Sequence, residues 1–281
     1  MRASFSFVIL LFLPGLLCAG DALQDARKSW LRGNYGEARE QYQELTKDAK
    51  TRPAAVIGVS KCFESVGRYE EAQKTIEQAL KDLKDDPDLL ARHAETLYLR
   101  GKWDEAGKAA EKAIAARDEN FLARWVRGNL LKDKGKWSEA DEEFRWFVKT
   151  YTRRENDDMP IADLDDLRLV GLAALEYARL HHITDQFPFI LEEVFDFSIK
   201  KDKLYWPAEY AAGRLYLEKF NKAAASKALD KVLAINPRSA EALAAKGMAA
   251  MQRLEIKDAE DLAEVALKIN PSLTARGFGR T

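Results

Sequence analysis

The residues of this 281-residue chain best suited to chemistry are three histidines, two cysteines and a handful of paired carboxylates. His181 and His182 are adjacent. On a helix their side chains diverge by about 100°, so they cannot share a metal as an i, i+4 pair does. His93 stands alone beside Ala94, and Cys62 lies near Val59 and Phe63, where it reads as a small buried hydrophobe. The pairs Asp157-Asp158, Asp165-Asp166 and Glu192-Glu193 are what a chain with 32% charged residues places on solvated faces. No His-Glu-x-x-His, paired-cysteine or phosphate-loop pattern occurs, and Gly277-Phe278-Gly279 lacks a preceding strand. With no convergent polar constellation, the sequence predicts no enzyme: no catalytic residue, no metal ligand and no cofactor.

Charge and leader narrow the class further. A formal net charge of −1, with both signs interspersed, gives no basic stripe for nucleic acid. At the N-terminus Met1-Arg2 precedes the apolar run Phe5 to Leu17, and Cys18-Ala19-Gly20 supplies small residues before Asp21. This predicts a signal peptide over residues 1–20, export to the periplasm or beyond, and no membrane attachment after cleavage. Cleavage would leave Cys62 as the single cysteine, so no internal disulfide forms.

The elements that must position any site are organised by one phrase: Gly33-Asn34-Tyr35-Gly36-Glu37-Ala38, Gly67 to Ala72, Gly101 to Ala106 and Gly135 to Ala140, each 34 residues after the last. The glycine suits a helix end that needs positive φ. The aromatic, Tyr or Trp, fills the crevice between helices, and the acidic residue favours the first turn of the next helix. Ala38, Tyr42 and Leu45, like Ala140, Phe144 and Phe147, continue an apolar stripe at helical spacing. After Thr152 to Pro160 the phase slips, and Ala140 to the equivalent Ala225 is 85 residues, seventeen more than two periods. Phe220 and Leu254 stand where the last two units lack the turn glycine, so those two turns are the least defined by the pattern.

With Ala26, Ser60, Ala94 and Gly128 in the first helices and Pro53 and Pro87 between units, the phrase resembles the tetratricopeptide repeat family. The resemblance implies an all-α, right-handed superhelical solenoid of antiparallel helix pairs, about seven repeats with one enlarged central repeat. Repeats one to four would fill residues 21–154, the enlarged unit 155–205, repeats six and seven 206–271, and an unstructured tail 272–281. It further implies a concave groove lined by first helices, with Trp30, Lys61, Tyr98, Trp125, Asn129, Lys132, Tyr210 and Arg214 as candidate partner-binding residues. Trp125 has two readings, ligand contact or packing between first helices. Lys61 and Asn129 suit the carboxylate-capturing positions of some family members, whereas Glu95 between them does not.

The function implied is a non-catalytic scaffold that binds a peptide or partner protein in the groove. The alternative is the repeat arm of a larger exported enzyme, such as a metallopeptidase, whose catalytic part lies outside this chain. No polar closing helix follows Ala259 to Leu267, so this end is also expected either to expose an apolar stripe or to dock a partner.

Overall fold

The four phrase glycines, Gly33, Gly67, Gly101 and Gly135, all have φ between 73° and 81°. In the first, Gly33 N–H donates to Trp30 C=O at 3.0 Å and Asn34 N–H to Ser29 C=O at 3.0 Å, the paired bonds that close a helix around a left-handed residue. The next helix then starts at the aromatic two residues on.

This unit, iterated, builds the computed structural model, which describes residues 19–273; all secondary structure among them is helical. The helices are α1 (Ala19–Leu31), α2 (Tyr35–Leu45), α3 (Arg52–Ser65), α4 (Tyr69–Leu80), α5 (Pro87–Leu99), α6 (Trp103–Ala116), α7 (Phe121–Asp133), α8 (Trp137–Asn156) and α9 (Leu164–Leu180). Then come α10, a continuous stretch of Phe187–Phe189, a π-helical segment Ile190–Asp196 and Phe197–Lys201, followed by α11 (Trp206–Glu218), α12 (Lys222–Ile235), α13 (Ala240–Gln252) and α14 (Ile256–Ile269). Consecutive helices pack as antiparallel pairs, and side-chain caps from Asp86, Asn120, Asp163 and Ser239 open four of the first helices. The expected leader falls on residues outside the described ones, except Ala19 and Gly20, which open α1.

The two turns without glycine keep the same geometry. Phe220 and Leu254 have φ of 56° and 64°, and their turns carry the same bonds, Phe220 N–H to Leu217 C=O and Leu254 N–H to Met251 C=O. A side chain in this region costs about 1–2 kcal/mol, and Leu254, 83% exposed, gains no burial in exchange. Leu254→Gly should therefore stabilise the protein by about 1 kcal/mol after the extra freedom of unfolded glycine is subtracted. Thermal unfolding would show it as a rise of a few degrees; a fall would mean the leucine makes a contact that matters.

First helices starting at Phe121, Leu164 and Trp206 lie 43 and 42 residues apart, so the enlarged repeat carries nine extra residues before the start of α9 and eight after it. The former lengthen α8 and its loop; the latter mostly extend α9 to 17 residues and widen the turn, through Thr184–Gln186, that leads into α10. Its Phe195 ring lies so close to α9 that a Cβ at Gly171 would collide with it, and Phe195, Val194 and Ile190 join the main core.

In most solenoids a repeat touches only its neighbours. Here the array comes round and meets itself. Asn236, in the loop between α12 and α13, donates from Nδ2 to Tyr35 Oη at 2.9 Å, and Tyr35 Oη donates to Arg238 C=O at 3.2 Å. One repeat further on, Asn270 Nδ2 donates to Tyr69 Oη at 3.2 Å and Ser272 Oγ to Gly67 C=O at 3.2 Å. Both Asn–Tyr pairs are 201 residues apart, about six periods, so the seam is itself in register. A Cβ added at Gly101 or Gly135 would meet nothing within 4 Å, and the aromatics that follow these glycines are Trp103 and Trp137, which carry no hydroxyl. Tyr and Trp are thus not interchangeable in the phrase: the hydroxyl marks the turns that receive a loop.

The seam also changes the expected C-terminal end. Leu273 folds back onto Ala240, Leu243, Ala244 and Ala266, and Ser272 reaches Gly67, so these two residues belong to the last turn; 274–281 lie outside the described residues. Ile256 and Val265 on α14 remain about half exposed.

Candidate functional site

The inner face of the superhelix is divided. At its N-terminal end the chain fills the groove itself: the Trp30 ring lies 5.9 Å from that of Trp206, and its Nε1 donates to Ser65 Oγ at 3.0 Å. Lys61 Nζ pairs with Asp165 at 2.9 Å, and Tyr205 Oη donates to the same carboxylate at 2.7 Å. Burial alone would raise the Asp165 pKa, but Lys61 and Arg168 hold its carboxyl well below the usual carboxylate range. Next to it, burial and the charges of Asp163 and Asp165 push Asp166 up to about 7. The internal carboxylate of Asp165 therefore occupies Lys61, and Trp30 is engaged by Trp206.

The other six candidate residues come together. Tyr98, Trp125, Asn129, Lys132, Tyr210 and Arg214 line one cavity of about 560 Å³, within the range of ligand sites. Its walls are α5, α7, α9, α11 and α13. Trp125 packs with its ring 6.1 Å from that of Phe144 on α8, the second helix of its own repeat, and also lines the cavity. Asn129 Nδ2 donates to the Trp125 carbonyl at 2.8 Å, which fixes the amide against its own helix. Lys132 is tied to Glu176 at 2.9 Å and Tyr98 Oη donates to Asp133 at 2.8 Å. Burial raises the Tyr210 phenol, opposed by Arg214, so it stays a neutral donor at ordinary pH.

The α9 wall, Arg168, Leu172, Leu175, Glu176 and Arg179, was missed by sequence reasoning because the phase break hid its register. A signal existed: Asp163 caps α9 as Asn120 caps α7. Counting from those caps, Trp125, Asn129 and Lys132 correspond to Arg168, Leu172 and Leu175, and then to Tyr210, Arg214 and Leu217. All nine line the cavity. Among the described residues no group of three or more His, Cys, Asp or Glu could hold a metal ion.

Helix pairs repeated at a 34-residue period with one enlarged unit, closed by left-handed turns and lined on the inside by first helices, define a helical-repeat solenoid. Family models of the tetratricopeptide repeat match residues 30–95 and 210–273, and the chain is a tetratricopeptide repeat protein. Among solved structures it is similar to a tetratricopeptide repeat protein from Parabacteroides merdae ATCC 43184, at 14% identity over 89% of this chain and 98% of that one, TM-score 0.47. It is also similar to YrrB, described as a TPR protein with an unusual peptide-binding site, at 17% identity over 72% of this chain and 97% of that one, TM-score 0.35. Comparison with curated proteins gives no match.

Proposed function

We propose that this chain is a non-catalytic scaffold that holds a segment of a protein partner in the cavity between α7, α9, α11 and α13. Its repeats are of a family of protein-interaction modules. The observation that carries the finer reading is the convergence of equivalent groove positions from successive repeats on one cavity, while the N-terminal part of the inner face is filled by the chain. Docking is placed here rather than on α14, whose inner stripe Leu273 covers.

Trp125 is the largest apolar surface offered, and buried aromatic anchors dominate such interfaces. Trp125→Ala should weaken partner binding by about 2 kcal/mol, roughly thirtyfold, as measured by calorimetry on a partner first isolated with the unaltered protein. Unchanged affinity in a variant with native circular dichroism would redirect attention to the convex face.

The protein acts outside the cytoplasm in this reading, on the strength of Met1-Arg2 and the apolar run that follows. N-terminal sequencing of protein recovered from the producing cell should begin at Asp21; an intact Met1 would count against export.

A further inference from the structure

The large apolar side chains left bare on this protein are not scattered. Among the described residues, all of them except Met159, Phe197 and Val265 stand at a turn between the two helices of one repeat. Trp137 is 55% exposed in repeat four, Phe189 51% in the enlarged unit, Phe220 73% in repeat six and Leu254 83% in repeat seven. Hairpins stacked side by side put all such turns along one edge, so these side chains form a single rim. Early in the chain that edge is covered, because the Asn236 and Asn270 loops sit on the turns at Gly33 and Gly67. The later turns face outward from the free end of the superhelix.

Phe220 and Leu254 hold their places in left-handed backbone, φ 56° and 64°, at about 1–2 kcal/mol each, and most of each side chain is still in water. Strain without burial points to a contact that the separate chain does not make. Ile183, Met251 and Ile256 lie beside the four larger tips. At about 100 Å² of bare surface apiece, the rim offers on the order of 700 Å², close to the roughly 800 Å² that each side of a standard interface covers.

The shape of the rim selects its occupant. The array rises as it turns, as the seam shows, and a flat bilayer would meet such a ramp at only one or two tips. A two-fold axis perpendicular to the superhelix axis carries a helical ramp onto itself, so a second copy, turned over, follows it along its whole length. Charges at the turns are paired locally, Lys136 with Glu139, Lys219 with Glu218 and Arg253 with Glu255, which leaves no strong field to repel that copy. We infer that this rim is where two copies of the chain dock as a symmetric dimer. With the axis midway along the rim, the turn of repeat four meets that of repeat seven and the enlarged unit meets repeat six. Trp137 of each copy then opposes Leu254 of the other. This does not depend on what enters the cavity.

Sedimentation velocity on the protein recovered from the producing cell should show a concentration-dependent dimer. Trp137→Lys and Leu254→Glu should each raise its dissociation constant at least tenfold, as charging an apolar anchor does, while Met159→Glu, exposed on the opposite edge, leaves it unchanged. Mixing the two rim variants should restore association, because the mixed dimer sets the new lysine against the new glutamate at one contact and keeps tryptophan against leucine at the other. Leu254→Gly, stabilising for the separate chain, should weaken the dimer as well. Native circular dichroism checks that every variant folds. A monomer at all concentrations would overturn the proposal, and so would a dimer that neither rim variant weakens. Two weakened variants that do not rescue each other would overturn the two-fold pairing. Monomers that sediment with vesicles of anionic phospholipid, through the same side chains, would assign the rim to lipid and overturn it too.

Discussion

Gly67→Ala should destabilise this protein about two to three times as much as Gly101→Ala, although the two glycines occupy the same place in the same phrase with φ of 78° and 75°. Both substitutions force a Cβ into the left-handed region, at about 1–2 kcal/mol. At Gly101 that is the whole cost, because nothing lies within 4 Å. At Gly67 the added carbon would collide with Asn270 Oδ1 and press on the Pro271 ring at 3.3 Å, an overpacking that adds roughly 1–3 kcal/mol. The loop that must yield also holds the Tyr69 hydroxyl through Asn270 and the Gly67 carbonyl through Ser272, so the seam should part there first. Gly33 and Gly135 form a second such pair, with Asn236 and Arg238 packed against Gly33 and open space at Gly135. Urea unfolding of the four alanine variants measures the difference, and small-angle scattering shows whether Gly33→Ala and Gly67→Ala increase the radius of gyration. Equal losses at all four glycines, with no expansion, would mean that the seam contributes nothing to the closed superhelix.

Arg92→Met should cost about 3–5 kcal/mol at neutral pH, the cost of removing one partner from a buried ion pair. Arg92 is 1% exposed on α5. Its guanidinium meets Glu64 at 2.5 Å, Glu95 at 2.5 Å and Ser60 Oγ at 3.1 Å, joining α3 to α5 beneath the inner face. Burial raises the Glu64 carboxyl even with Arg92 beside it, and the Glu95 charge adds to the rise. Methionine would keep much of the volume and leave two carboxylates facing each other. A carboxyl raised in the folded state penalises folding when ionised, and the penalty falls away as the pH drops from its folded value to its unfolded one. The deficit of Arg92→Met should therefore be largest at pH 7 and shrink towards pH 4, and Glu64→Gln should recover part of it at neutral pH. Urea unfolding at both pH values decides: a loss under 1 kcal/mol, or one independent of pH, would show the cluster to be solvated and weak.

This cluster also shows where sequence reasoning stops. Lys61 and Glu95 read as groove positions because first-helix positions in this family face inwards, and both are engaged in ion pairs within the chain. Their direction followed from the 34-residue phase, but their availability did not. Lys61 is occupied by Asp165, 104 residues away, and Glu64 by Arg92, 28 away. No local pattern records such pairings. The α9 wall of the cavity was hidden for a different reason: a count of seventeen extra residues does not say that nine precede the start of the helix and eight follow it. The Asp163 cap did carry that information.

Helix boundaries, the four glycine turns and the direction in which each first helix outside the enlarged unit faces were determined by the amino-acid sequence alone, because each depends on a few residues acting within one hairpin and its neighbour. The same local physics let Phe220 and Leu254 hold a left-handed turn without glycine, since the helices on either side over-determine it. Only the tertiary structure decided that the array closes on itself, that Trp30 and Lys61 are engaged internally, and that the later first helices share one cavity. Closure is the sum of small rotations over about six repeats, one of them enlarged, and a sum of that kind is set by every interface at once.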